Sequence, residues 1–65
     1  MRNKERIGKV LDLIQILWTN PNNQDLRFGQ IVAMIDTKYI DEQNIDLFYV
    51  EDENLIETLK EMIYE

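Results

Sequence analysis

The chain has no cysteine and no histidine, one proline and two glycines in 65 residues, and only seven lysines and arginines against thirteen acids. Without cysteine there are no disulfide staples and no thiolate metal sites. Without histidine the commonest general base and the commonest metal ligand are both missing. No apolar run approaches the ~18 residues that a membrane-spanning helix needs, and no signal-peptide pattern opens the chain. A cytoplasmic protein with no membrane contact is therefore expected.

Hydrophobic residues make up 45 % of the chain, enough for one small packed core, and residues 1–65 are expected to form a single helical domain. A domain of this size buries only about 60 % of the surface its unfolded chain exposes, so self-association would add useful burial. The net charge of −6 is unevenly placed. Residues 1–27 carry five cations against three acids (+2), and residues 28–65 carry two cations against ten acids (−8). Such asymmetry suits a polar partner surface, but a solvated acidic face explains it more simply.

Residues 1–3 are expected to be a frayed start. From Lys4, the apolar positions Ile7, Val10, Leu11, Ile14, Leu17 and Trp18 repeat with helical spacing. Leu13 and Ile16 lie off that stripe and widen it, which predicts a helix packed on two sides. Gly8 costs about 1 kcal/mol there relative to alanine, unless it permits a close approach. The basic residues of the first turns oppose the helix dipole, and they serve either function or the balance of the acidic half.

Asn20-Pro21 with Asn22 and Asn23 ends this helix. Asp25 is the expected N-cap of the second; an alternative start has Arg27 at the cap, Gln30 reaching back, and Leu26 stapled to Ile31. Phe28, Ile31, Val32 and Ile35 predict a short second helix to about Asp36. Residues 37–45 are expected to be a polar connection, and residues 46–50 an apolar loop or turn of helix plugging the gap between helices. Glu51, Asp52 and Glu53 then suit a helix N-terminus. Leu55, Ile56, Leu59, Met62 and Ile63 predict a final helix to Tyr64. The expected fold is all-α, a small three-helix domain with a short irregular apolar segment between helices 2 and 3. Its expected core is Ile7, Leu11, Ile14, Trp18, Phe28, Ile31, Ile35, Phe48, Leu55, Leu59 and Met62.

The run R-I-G-K-V-L-D-L-I with Trp18, the D-L-R-F-G-Q-I-V stretch over residues 25–32 and the late F-Y-V-E-D resemble a group of short bacterial and phage proteins. That group carries an N-P-D-L-R-(F/L)-G-Q core followed by a D-x-F-Y-(I/V)-E-D element. More distantly, Val10, Leu13, Ile14, Trp18 and Pro21 ahead of Asp25-Leu26 are similar to the YihD-like family of small bacterial proteins. Here Asn22, Asn23 and Gln24 separate the proline from the aspartate, which in the short proteins follow one another. The resemblance implies a helical fold and no particular activity.

No catalytic, cofactor or metal site is expected. Glu51, Asp52 and Glu53 are consecutive and point in different directions on a helix. Asp41 and Glu42 lack the alternating spacing of a calcium loop. Gly29 alone is not a phosphate loop, and three short helices offer little cleft for a pair of carboxylates. A helix-turn-helix would need a basic recognition helix, and the second helix has only Arg27 and Lys38 near its ends.

The expected function is therefore non-enzymatic: a small bacterial or phage accessory protein that binds another protein or a second copy of itself. The alternative is a nucleic-acid-related regulator, acting through DNA mimicry by the acidic half or weak DNA contact by the basic N-terminus. The candidate partner-binding residues are Trp18, Arg27 and Gln30. Arg27 is also a candidate structural tie to Asp46 or to the Glu51–Asp52 turn, since its planar fork suits a carboxylate. Trp18 is expected at or near the core, with an acceptor for its indole N–H.

Overall fold

The computed structural model describes residues 2–64. It holds three α-helices, α1 (Glu5–Thr19), α2 (Phe28–Gln43) and α3 (Asp52–Tyr64), with a 3₁₀ turn, Leu47–Tyr49, between the last two. There is no strand among the described residues. The expected all-α three-helix domain is the fold observed, down to an irregular apolar segment ahead of the last helix. Of the expected frayed start, Met1 lies outside the described residues. Asn3 is engaged, its side-chain oxygen accepting the Glu5 N–H at 2.9 Å and so capping α1.

α1 ends where predicted, because Asn20 is extended (φ −55°, ψ 133°) ahead of Pro21. The Asn20 side chain accepts the Asn22 N–H at 2.9 Å, an Asx turn. Asn23 donates its amide to the Leu17 carbonyl at 2.9 Å, and Gln24 donates to that of Thr19 at 2.8 Å. The residues between Pro21 and Asp25 thus satisfy carbonyls that the last turn of a helix leaves unpaired.

α2 differs from expectation at both ends. Its N-cap is Arg27, extended at φ −80°, ψ 157°, and the Arg27 N–H donates to Gln30 Oε1 at 2.8 Å. The Arg27 carbonyl accepts from the N–H groups of Gln30 and Ile31. Only half of a capping box is made, because a guanidinium has no acceptor to offer in return. Among the described residues the Asp25 carboxylate has no hydrogen-bond partner, and the alternative start at Arg27 is the observed one. The helix also runs on past Asp36 to Gln43 and closes on Asn44, which sits in the left-handed region at φ 55° with its N–H donated to the Ile40 carbonyl. Asparagine tolerates that conformation better than most residues. Residues 37–43 are helical because Ile31, Ile35 and Tyr39 lie at i, i+4 and i+8. Tertiary burial of that row outweighs the polar composition between its members.

The core is built on Leu17, Ile31, Ile35, Tyr39 and Leu59, with Val10, Leu13, Ile14, Trp18, Leu26, Leu55 and Met62 packed around them. Ile14, Trp18, Ile31, Ile35, Leu55, Leu59 and Met62 stand where the sequence places them. Ile7, Leu11, Phe28 and Phe48 do not, and are largely exposed. The covered side of α1 is centred on Val10, Leu13 and Leu17: it keeps Val10 and Leu17 of the expected stripe, takes in Leu13 from its margin and leaves Ile7 and Leu11 in water.

α1 and α3 pack side by side and run in the same sense. Arg2 and Arg6 meet Glu51 and Asp52 at their first turns, and further along Lys9 and Leu13 share a groove with Glu53 and Glu57. α2 runs from the end of α1 to the 3₁₀ turn, and its buried row Ile31, Ile35 and Tyr39 joins the same core. Tyr39 joins its C-terminal half to α3: Tyr39 Oη lies 2.7 Å from Asn54 Oδ1 and 2.7 Å from Thr58 Oγ1. A phenol has one proton, so it donates to the amide oxygen and accepts from the threonine hydroxyl. The 3₁₀ turn is held by Asp36 Oδ1, which accepts the Leu47 N–H at 2.8 Å, and by Asp46, which accepts the Phe48 N–H at 2.9 Å.

Candidate partner-binding face

α1 carries two apolar stripes; the fold covers one and half-covers the other. Val10, Leu13 and Leu17 face α2 and α3. Ile7, Leu11, Ile14 and Trp18 run alongside, offset by one residue. Ile14 and Trp18 are half-buried, whereas Ile7 keeps 51 % of its surface in water and Leu11 keeps 60 %. Phe28, 55 % exposed at the start of α2, extends the outer stripe. Its ring stands 5.7 Å from the indole of Trp18, tilted by 38°.

Between them lies an open groove of about 450 Å³, lined by Leu11, Ile14, Gln15, Trp18, Thr19, Gln24 and Phe28. No lining residue is charged. The floor is aliphatic and aromatic and the edge is amide and hydroxyl, the composition of a protein-binding surface with an apolar centre and a polar rim.

Trp18 is both support and surface. Its indole N–H donates to the Leu26 carbonyl at 2.8 Å, which fixes the ring plane and leaves one face toward the groove. Gln30 lies outside the groove with its carbonyl oxygen committed to the α2 cap, so its role in the fold is to start a helix. Arg27 is exposed and its guanidinium makes no hydrogen bond or ion pair. The expected tie to Asp46 or to the Glu51–Asp52 turn does not form; Asp46 caps the 3₁₀ turn, Glu51 binds Arg2, and Asp52 binds Arg6. The tie that the loop needed comes instead from Asp36. The three candidate residues therefore do not converge on one site.

A second exposed apolar group lies on the 3₁₀ turn. Phe48 (85 % exposed) and Tyr49 (71 %) project from the 3₁₀ turn with their rings edge to face at 5.1 Å. The turn presents them outward because its own core contacts are Leu47 and Val50. Among the described residues no three carboxylates converge on a point that would hold a metal ion, and no helix is long and apolar enough to cross a membrane.

The outer stripe was legible as periodicity, but its exposure was not. Leu11 and Leu13 are chemically alike, and only the placement of α2 and α3 decides which of them is covered. No family model, curated protein or solved structure matches the chain. The functional reading therefore rests on this geometry.

Proposed function

We propose that the protein is a non-enzymatic binding module, a small accessory protein whose interface is the outer face of α1 together with Phe28. The observation that carries this reading is the half-exposed row Ile7, Leu11 and Phe28 around a Trp18 ring held in place from behind. Contiguous apolar patches of this kind on small proteins commonly serve as interaction sites, and a fixed aromatic at the centre is the usual anchor. Direct phosphate contact by the N-terminus has less support, because Arg2 and Arg6 already pair with Glu51 and Asp52.

The test compares wild type with Leu11→Glu, which places a charge at the middle of the face without touching the core. Both are immobilised, exposed to a bacterial lysate and to free protein of the same sequence, and the retained chains are identified. Retention of a protein by wild type and its loss with the variant is the expected result. Equal retention by both would remove this face from the function.

A further inference from the structure

We infer that the occupant of this face is a second copy of the chain, with α1 of each copy packed antiparallel against the other in a symmetric dimer. The inference rests on the binding-face reading above and names its partner. The outer stripe occupies positions 7, 11, 14 and 18, spaced by four, three and four residues. That is the 3.5-residue repeat of a two-helix seam, and it asks for a helix of the same spacing opposite it. The protein presents one such helix face, the outer stripe itself, because α1's inner stripe is already filled by α2 and α3.

Surface area points the same way. A compact monomer of 7.8 kDa should expose about 4,400 Å² by the usual size scaling, whereas this one exposes 5081 Å². The excess of roughly 700 Å² belongs to the whole molecule, and the exposed Ile7, Leu11 and Phe28 supply part of it.

Gly8 is the independent observation. It stands exposed at the end of the first turn of α1, and a Cβ built on it would meet nothing within 4 Å. The isolated fold has no steric use for this glycine, which weakens the helix. It flanks the outer stripe beside Ile7, where the missing side chain lets a second backbone approach closely.

Charge sets the direction. A parallel pair would place Lys4 of one copy on Lys4 of the other, in line with the stripe, and would align two helix dipoles. The antiparallel pair places Ile7 opposite Trp18 of the other copy and Leu11 opposite Ile14. Lys4 then lies near the uncharged C-terminal end of the other α1. Phe28 closes each end of the seam.

Sedimentation equilibrium of the full chain, from about 10 μM to about 1 mM, tests the association. A mass rising toward twice the monomer's is expected, with Leu11→Glu weakening the association at least about tenfold while the helical circular dichroism persists. The chain has no cysteine, so single-cysteine variants report direction cleanly. Leu11→Cys lies beside the two-fold axis and should oxidise to a covalent dimer. Ile7→Cys should not, because its two copies would sit about 16 Å apart along the helices. A strict monomer at ~1 mM, or a dimer indifferent to Leu11→Glu, overturns the inference. Equal cross-linking of both cysteine variants overturns the antiparallel arrangement. If wild type is monomeric yet Leu11→Glu still loses a retained protein, the binding face stands and the second copy falls. If the variant changes neither self-association nor retention, both fall.

Discussion

At the scale of single residues, Arg27 and Tyr39 exchange the roles that their chemistry suggests. An arginine between two helices of a small acidic domain looks like a long-range tie, yet Arg27 has its guanidinium in water and contributes its backbone to a helix cap. Arg27→Lys should therefore leave stability within about 0.5 kcal/mol of wild type, read from the thermal midpoint. Tyr39 falls in a stretch expected to be a polar connection, yet it is fully buried and its hydroxyl links Asn54 to Thr58. Tyr39→Phe keeps the ring and leaves a buried threonine hydroxyl and an amide oxygen without their partner. The expected loss is about 1–3 kcal/mol. In a domain this small, each kcal/mol should lower the midpoint by roughly 4–8 °C. A Tyr39→Phe midpoint equal to wild type would mean that water replaces the hydroxyl at no cost.

At the scale of elements, α1 shows how one helix serves two demands with adjacent stripes. Its inner row packs the domain and its outer row is left over, and Gly8 sits on the margin of the second. Gly8→Ala should raise the stability of the folded chain by about 0.5–1 kcal/mol, since alanine restricts the unfolded state and meets no atom in the folded one. Urea unfolding at low protein concentration measures this. The same substitution should weaken self-association, because it adds a methyl group where two backbones are to approach. Effects of opposite sign separate a residue kept for folding from one kept for contact. α2 makes the complementary point: its length is set by the burial of Ile31, Ile35 and Tyr39 in one row and ended by Asn44 in the left-handed region.

At the scale of the whole molecule, the charge asymmetry of the sequence folds back on itself. The basic start of α1 meets the acidic start of α3, with Arg2 on Glu51 and Arg6 on Asp52. The first pair is well exposed and contributes little, as surface pairs do. The second is mostly shielded, with side chains 23 % and 33 % exposed, and joins α1 to α3 through residues 46 apart in sequence. Asp52→Asn should cost about 1 kcal/mol, and Glu51→Gln less than ~0.5 kcal/mol. Thermal melts of the two variants in the same buffer test that order. A larger loss for Glu51→Gln would mean that the outer pair carries the clasp.

The number of helices, the break at Asn20-Pro21, the acidic start of the last helix and the apolar rows of α2 and α3 were all legible in the chain. Periodicity, proline geometry and helix-terminus electrostatics are local properties, and the fold respected them. The length of α2, the cap at Arg27 and the exposure of Ile7, Leu11, Phe28 and Phe48 were decided only by tertiary structure. α1 has apolar residues over a wide arc, so its sequence allows several rotations against the rest of the domain. The choice among them depends on where Tyr39, Leu59 and the Arg6–Asp52 pair draw the other helices. That choice covers Leu13 and Leu17 and leaves Leu11 in water. The candidate binding face is therefore a product of packing, because the fold can bury one side of an apolar helix only by leaving the other open.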